Sequence, residues 1–195
     1  PTALRSLPEM PLGLFSKGEL EPGDSKALGI VGSRRPTPYS RTQANRFASD
    51  IAGMGATIVS GLARGIDTRA HISALEAGGR TLAVLGSGLG RIYPRENRAL
   101  AERIPGDGAV LSEFPFSMGP RTFHFPQRNR LISGLSTTLL VIEAGRKSGS
   151  LSTARWTLEQ GKNIFVLPSR VDEEHNRGGL HLLRDGAGVA ISPRD

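Results

Sequence analysis

Five short segments of the chain combine glycine with serine or arginine in a way that suits the binding of phosphate groups. Glycine lets a backbone approach a phosphate closely, N–H groups at the start of a helix donate to it, and arginine adds charge with a bidentate fork. A tight turn explains one such segment equally well, whereas several on one rim favour a phosphate-binding surface. The segments are Gly32-Ser33-Arg34-Arg35, residues 60–65 with Arg64, residues 86–90, residues 113–125, and residues 143–150 with Ser148-Gly149-Ser150.

The stretch from residue 114 to residue 130 adds aromatic side chains to this chemistry. It holds a large share of the chain's 7 phenylalanines, interleaved with Arg121, Arg128 and Arg130. Aromatic faces stack on bases regardless of sequence, at about 1–3 kcal/mol per base, while arginines follow the phosphate backbone. The Asn129 side chain could either form a hydrogen bond with a base edge or cap backbone groups nearby. Phenylalanines beside prolines also anchor loops to a core, and we expect at least half of these to do so.

Residues suited to catalysis or metal binding are few. The chain has no cysteine, which excludes thiolate nucleophiles, thiolate zinc sites and disulfides and fits a cytoplasmic protein. Asp67 and His71 lie four residues apart on one predicted helix, so their side chains could bind the same metal ion. The favoured interpretation is that the aspartate caps the helix and the histidine packs in the protein. Residues 86–90 are similar to a dinucleotide fingerprint but lack its last glycine and follow a third strand. We therefore predict no catalytic residue, no metal and no cofactor.

The charge balance favours a polyanionic partner. Lys and Arg number 25 against 18 Asp and Glu, a net charge of +7. Each phosphate that such a surface neutralises releases counterions and adds salt-sensitive affinity, although a merely basic surface gives the same count. No run approaches the roughly 18 apolar residues of a membrane helix, and no signal peptide is evident, so we expect a soluble cytoplasmic protein.

Short apolar runs alternate with amphipathic segments along most of the chain. Strands are predicted at residues 27–31, 57–60, 81–85, 109–111, 138–143 and 164–167, with an edge strand at 189–191. Helices are predicted at residues 40–54, 67–77, 96–103, 126–133, 150–160 and 179–185. This alternation predicts an α/β fold: an extended, Rossmann-like, doubly wound and mostly parallel sheet with helices on both faces.

The predicted sheet explains where the five segments meet. Residues 1–26, rich in proline and glycine, are expected to form a lead-in packed on a single domain of residues 27–195. In such a sheet, ligands bind beyond the carboxyl ends of the strands, where the strand order reverses. The five segments follow predicted strands, so we expect them on that rim.

Several longer motifs match a known family. They are Val31-Gly32-Ser33-Arg34, residues 60–67, residues 92–97, residues 125–136, and residues 143–151. In order and spacing, from about residue 3 to residue 190, the chain resembles the bacterial DNA-processing protein A family (DprA, also called Smf). The resemblance implies a Rossmann-like domain that binds single-stranded DNA, protects incoming strands in natural transformation and loads the RecA recombinase, usually as a homodimer.

The resemblance also implies particular site residues. By the family pattern Gly32, Ser33 and Arg34 hold phosphate, Arg95 stands where members often carry a DNA-contacting lysine, and Arg128-Asn129-Arg130 line the same basic pocket. Gln127 occupies a position where a basic residue is common, which weakens one expected phosphate contact. Many members carry a small helical domain before this region and a winged-helix domain after it.

We therefore expect a single-stranded DNA-binding protein rather than an enzyme. Two alternatives stay open. One is a nucleoside-monophosphate-cleaving enzyme of a related Rossmann fold, although its PGGxGT loop is replaced here by residues 143–150. The other is a module that binds a small signalling nucleotide in the same pocket.

Overall fold

The strands and helices are those of a layered α/β protein, seen in a computed structural model that describes residues 2–5, 7 and 9–195. The strands are β1 (Phe15–Gly18), β2 (Ala27–Val31), β3 (Thr57–Ser60), β4 (Thr81–Val84), β5 (Gly108–Ser112), β6 (Thr138–Val141), β7 (Asn163–Val166) and β8 (Gly188–Val189). The helices are α1 (Pro38–Gly53), α2 (Ile66–Glu76), α3 (Arg98–Arg103), α4 (His124–Leu135), α5 (Ser150–Glu159) and α6 (Arg177–Arg184). Short 3-10 turns lie at Thr2–Leu4, Pro22–Ser25, Arg95–Asn97, Ile104–Gly106 and Glu174–Asn176.

The eight strands form one sheet in the order β1-β5-β4-β3-β2-β6-β7-β8. All neighbours are parallel except β1, which runs antiparallel to β5. The chain moves outward from β2 to β5 and then returns to place β6 on the other side of β2. The strand order therefore reverses between β2 and β6, which is the position where α/β sheets of this type bind ligands. The predicted doubly wound fold is confirmed.

Both faces of the sheet are covered by helices. Ile30 and Ile58 pack with α1 and α2 on one face, while the residues that follow them, Val31 and Val59, pack with α4 and α5 on the other. Right-handed crossovers require this arrangement, because the chain winds in opposite directions on the two sides of β2. A strand buried on both faces is mostly apolar, which is why these strands could be recognised as short apolar runs.

Several element boundaries differ from the predicted ones for identifiable reasons. Helix α4 begins at His124 instead of residue 126 because Pro126 lies within the first turn, where N–H groups have no intrahelical partner to lose. Strand β6 ends at Val141, two residues early, so Glu143 lies in a loop. The predicted helix 96–103 is divided into a 3-10 turn and α3.

The N-terminal lead-in is attached to the sheet. Strand β1 pairs with β5, an element that the sequence analysis did not predict because its four residues carry a single large apolar side chain. Further along, the guanidinium of Arg80 donates to the carboxylates of Asp24 (3.0 Å) and Glu21 (2.7 Å). These contacts hold residues 21–24 against the amino end of β4.

His71 lies in the interior between α2 and the sheet and is fully buried. Its Nδ1 is 2.7 Å from the hydroxyl oxygen of Thr81, and that hydroxyl donates its hydrogen to the Ile58 carbonyl. The histidine must therefore donate from Nδ1, which leaves Nε2 unprotonated and without a hydrogen-bond partner among the described residues. Burial lowers the pKa of His71 to about 3, and the charge of Arg128 acts in the same direction.

A neutral buried histidine makes stability depend on pH. The unfolded chain takes up a proton at His71 below a pKa of about 6.5 and the folded chain does not, so stability falls as the pH is lowered. At pH 5 the loss from this residue is about 2 kcal/mol relative to neutral pH. We expect urea denaturation to show a steeper decline between pH 7 and pH 5 for the parent chain than for His71→Asn, whose amide keeps a donor towards Thr81 but does not titrate. Parallel profiles for the two chains would contradict the buried neutral state.

Candidate nucleic-acid interface

The loop between β2 and α1 presents two arginines at the switch point of the sheet. Thr37 caps α1, its side chain accepting from the Ser40 amide at 3.2 Å. Its own amide and hydroxyl donate to Oε2 of Glu143 at 3.1 and 2.9 Å. Because Glu143 follows β6, these bonds hold the loop to the neighbouring strand end. Arg34 and Arg35 are exposed on the loop fixed in this way.

Arg34 forms one wall of a small pocket lined by Arg64, Tyr93, Phe125 and Arg128, together with Gly61, Ala63 and Pro94. Its guanidinium lies over the Phe125 ring, 5.9 Å from the ring centre. The Phe125 and Tyr93 rings are 5.6 Å apart. Within the described residues, the Arg34 side chain has no carboxylate partner, so its charge is available to a ligand. The pocket thus joins a free cation to two aromatic faces.

Arg128 forms the floor of this pocket and is almost fully buried. Its guanidinium donates to the carbonyl of Gly61 at 2.8 Å and to that of Val84, so it connects the ends of β3 and β4. Its Nε donates to Asn129, whose amide in turn donates to the Gly149 carbonyl at the start of α5 (3.3 Å). Arg128 and Asn129 therefore support the loops of the rim from below.

The buried charge of Arg128 makes the pocket electropositive. Burial, opposed by the Asp67 carboxylate and helped by the charge of Arg34, lowers the pKa of Arg128 to about 10. The side chain remains protonated at neutral pH. Arg34 and Arg128 repel each other there, so an anion bound between them relieves this repulsion.

Asp67 organises the loop that follows β3. The prediction that it is the N-cap of α2 is wrong, because that position is taken by Gly65 and Asp67 lies within the first turn. The buried carboxylate instead accepts from the amides of Gly61 (3.1 Å) and Ala63 (3.4 Å), in the loop before the helix. Burial raises the pKa of Asp67, whereas Arg128 and the two amides lower it. The aspartate and His71 thus have separate internal partners.

The exposed arginines at the far side of the pocket differ in their availability. Arg64 is paired with Glu96, its Nη2 lying 3.1 Å from Oε2, so DNA would have to compete with this ion pair. Arg95 is exposed beside it and has no side-chain partner within the described part of the chain. Of the two, Arg95 is the freer cation.

Arg130 lies away from the pocket, in the interior. Its two terminal nitrogens form a bidentate pair with Glu113 at 2.7 Å each, and its Nε donates to the Glu9 carbonyl at 2.8 Å. These bonds tie α4 to the end of β5 and to the N-terminal segment. The structure therefore gives Arg130 internal contacts instead of a place on the rim.

The loop between β6 and α5 flanks the same switch point. Ser148 and Ser150 lie with their hydroxyl oxygens 2.6 Å apart at the start of α5, and the exposed Gly149 stands between them. The amide of Ala144 donates to the side chain of Asn176, a buried residue just before α6 (2.8 Å). Sequence reasoning missed Asn176, as it missed the roles of Glu143 and Thr37, because their partners are distant in the chain.

Comparison with known proteins identifies the family of the chain. The family model described as DNA recombination-mediator protein A matches residues 1–195. The chain belongs to this family. It is 43% identical over 196 residues to protein Smf of Escherichia coli, covering 100% of the chain and 52% of that protein. The chain spans about half the length of such curated relatives.

Solved structures show the same fold. DNA processing protein A from Streptococcus pneumoniae matches with a TM-score of 0.94 and 38% identity, over 100% of this chain and 68% of that one. DNA processing protein A from Helicobacter pylori, described for its single-stranded DNA binding mode, matches with a TM-score of 0.90 and 34% identity, over 100% of this chain and 89% of that one. A molybdenum cofactor binding protein of Rippkaea orientalis, at 18% identity and a TM-score of 0.60, shares the fold alone.

Arg128 and Arg34 should respond differently to the same substitution. Arg128→Met leaves the Gly61 and Val84 carbonyls without a donor and the Asp67 carboxylate without its counter-charge, a loss of about 3–5 kcal/mol. Arg34→Met removes an exposed side chain and should change stability by less than about 0.5 kcal/mol. Urea denaturation of both variants measures the difference, and equal stability of the two would contradict the supporting role of Arg128.

Proposed function

We propose that this chain binds single-stranded DNA at the carboxyl ends of its parallel strands. The observation that carries the proposal is the free cation Arg34 held over Phe125 beside Tyr93, above the buried charge of Arg128. Arginine contacts phosphate and an aromatic face stacks on a base, which together suit a strand whose bases are unpaired. Membership of the DNA recombination-mediator family supports the same ligand.

The rim offers a defined set of contacts for that strand. We assign direct contacts to the exposed residues Arg34, Arg35 and Arg95, with Gly32, Ser33, Ser148 and Gly149 presenting polar groups at the switch point. Arg64 joins them if its ion pair with Glu96 opens. Arg128, Asn129 and the buried Ser150 hold the surface in shape, and Arg130 anchors α4 beneath it.

We also propose that the chain acts by binding, without turnover. In the cleavage alternative the carboxylate of the corresponding loop, Glu143, would act on the substrate. Here Glu143 is buried and its Oε2 accepts two hydrogen bonds from Thr37, while Oε1 has no hydrogen-bond partner among the described residues. We therefore assign Glu143 to holding the loop between β2 and α1. Mononucleotides remain useful competitors, because a phosphate pocket built for DNA and one built for a small nucleotide share the same groups.

The wider activity that we propose follows the family. It comprises protection of incoming DNA during transformation, loading of the RecA recombinase in the cytoplasm, and assembly as a homodimer.

Within the described residues, no helix has the length and apolarity to cross a bilayer. Strand β8 leaves a sheet edge with exposed Val189, which is compatible with self-association. Light scattering tests the homodimer, and a monomeric mass would contradict it. RecA strand exchange on DNA coated with single-strand-binding protein tests the loading role, and an exchange rate that this chain does not raise would contradict it.

Binding to labelled oligothymidylate should be salt-dependent and selective for the single strand. In fluorescence anisotropy, log K should fall linearly with log salt, with a slope of about −0.7 for each phosphate neutralised. Arg34→Met should weaken binding roughly tenfold, because it removes a charged hydrogen bond, and should make the slope shallower by about 0.7.

Arg103→Met is the control, since Arg103 is also exposed but ends α3 shortly before β5 begins, at the opposite end of the sheet from the pocket. It should bind like the parent chain. Absence of binding at low salt, with retained affinity for a mononucleotide, would replace the DNA proposal with the small-nucleotide one. Equal losses in the two arginine variants would show that general charge, not the pocket, accounts for binding.

A further inference from the structure

The loop between β5 and α4 carries two phenylalanines on the surface. Phe116 is 66% exposed and Phe123 is 60% exposed, while Phe114 in the same loop is buried. Two large apolar rings exposed in one loop form a patch that can serve as a binding surface. The pocket described above uses neither ring.

Phe123 stands on a rigid base. The Phe123 and His124 rings are nearly perpendicular, with their centres 4.7 Å apart. The His124 ring stacks on Phe114, with 4.1 Å between the ring centres. The guanidinium of Arg121 lies 5.9 Å from the centre of the Phe123 ring. The same pairing of arginine and phenylalanine occurs in the pocket, between Arg34 and Phe125.

Phe116 is held by the glycine-rich segment 86–90. The amide of Gly90 donates to the Phe116 carbonyl at 2.9 Å, and that of Gly88 donates to the Met118 carbonyl at 2.8 Å. A Cβ at Gly90 would lie 2.5 Å from the Phe116 ring, so glycine at this position lets the ring approach the segment closely. The glycines that are similar to a dinucleotide fingerprint thus hold an aromatic ring in place.

The surface around these rings is positive. Residues 86–95 and 114–127 contain no Asp or Glu, and Arg91 and Arg121 are exposed within them. Phe123 directly precedes α4, two residues before Phe125 of the pocket, so the two regions are continuous. A protein partner would fit the apolar rings, but the uniform positive charge and the ring–arginine pairs favour a strand of unpaired bases.

We propose that Phe123, Arg121 and Phe116 form a second stretch of the single-stranded DNA path, which stacks bases of the strand after it leaves the Arg34 pocket. This second stretch rests on the proposed function. It adds a route for the DNA strand, from the Arg34 pocket across the rim towards the β5–α4 loop. The rings stack without sequence preference, and Arg121 contacts the phosphate between them.

The test compares two lengths of oligothymidylate, about four and about 20 nucleotides, in fluorescence anisotropy. Phe116→Leu combined with Phe123→Leu should weaken binding of the long strand by roughly tenfold or more, because each lost base stack is worth about 1–3 kcal/mol. Binding of the short strand should not change. Leucine keeps an apolar surface, so a protein-docking role would survive this substitution.

Controls separate failure of this inference from failure of the proposed function. Leu158→Ala removes an equally exposed apolar side chain at the far end of α5 and should leave both affinities unchanged. Arg34→Met should weaken both strands. If it does so while the double leucine variant binds the long strand normally, the pocket stands and the second stretch is overturned. If the parent chain binds neither strand, the proposed function itself fails.

Discussion

Parallel strands that end side by side leave backbone carbonyls that need hydrogen-bond donors, and in this fold a single buried guanidinium supplies them at the centre of the sheet. Arg128 joins the ends of β3 and β4 directly and reaches α5 through Asn129. Gly61 must be glycine, since a Cβ there would lie 2.6 Å from the guanidinium. The charge is tolerated in the interior because Asp67 lies nearby and the pocket opens above it.

This internal cation also explains why the rim suits an anionic ligand. A protein that places a positive charge beneath a pocket and a second, unpaired one at its wall creates a site that is most stable when a negative group is present. The Thr37–Glu143 contact and the Asn176–Ala144 contact hold the two loops of the switch point in place on either side. The rim is therefore preorganised by hydrogen bonds within the protein.

The architecture was predictable because strands buried on both faces read as continuous apolar runs and the crossover rule leaves few topologies. Strand β1 escaped prediction because an edge strand of four residues has little pattern. For the site, the sequence shows which residues are arginine or phenylalanine but not which are buried. Arg34, Arg128 and Arg130 look alike in the chain, yet one is free, one supports the pocket and one pairs with Glu113. Such differences arise from tertiary contacts, and no local spacing encodes them.

Hydrogen–deuterium exchange with and without oligothymidylate shows where the DNA strand lies on the protein. If it binds at the carboxyl ends of the β-strands, the amides at residues 32–37, 61–65 and 114–125 should be protected. An apolar groove at the opposite end, lined by residues such as Leu28, Met54 and Phe165, should exchange as in the free protein. Protection confined to that groove, with the rim unchanged, would contradict DNA binding at the carboxyl ends of the β-strands.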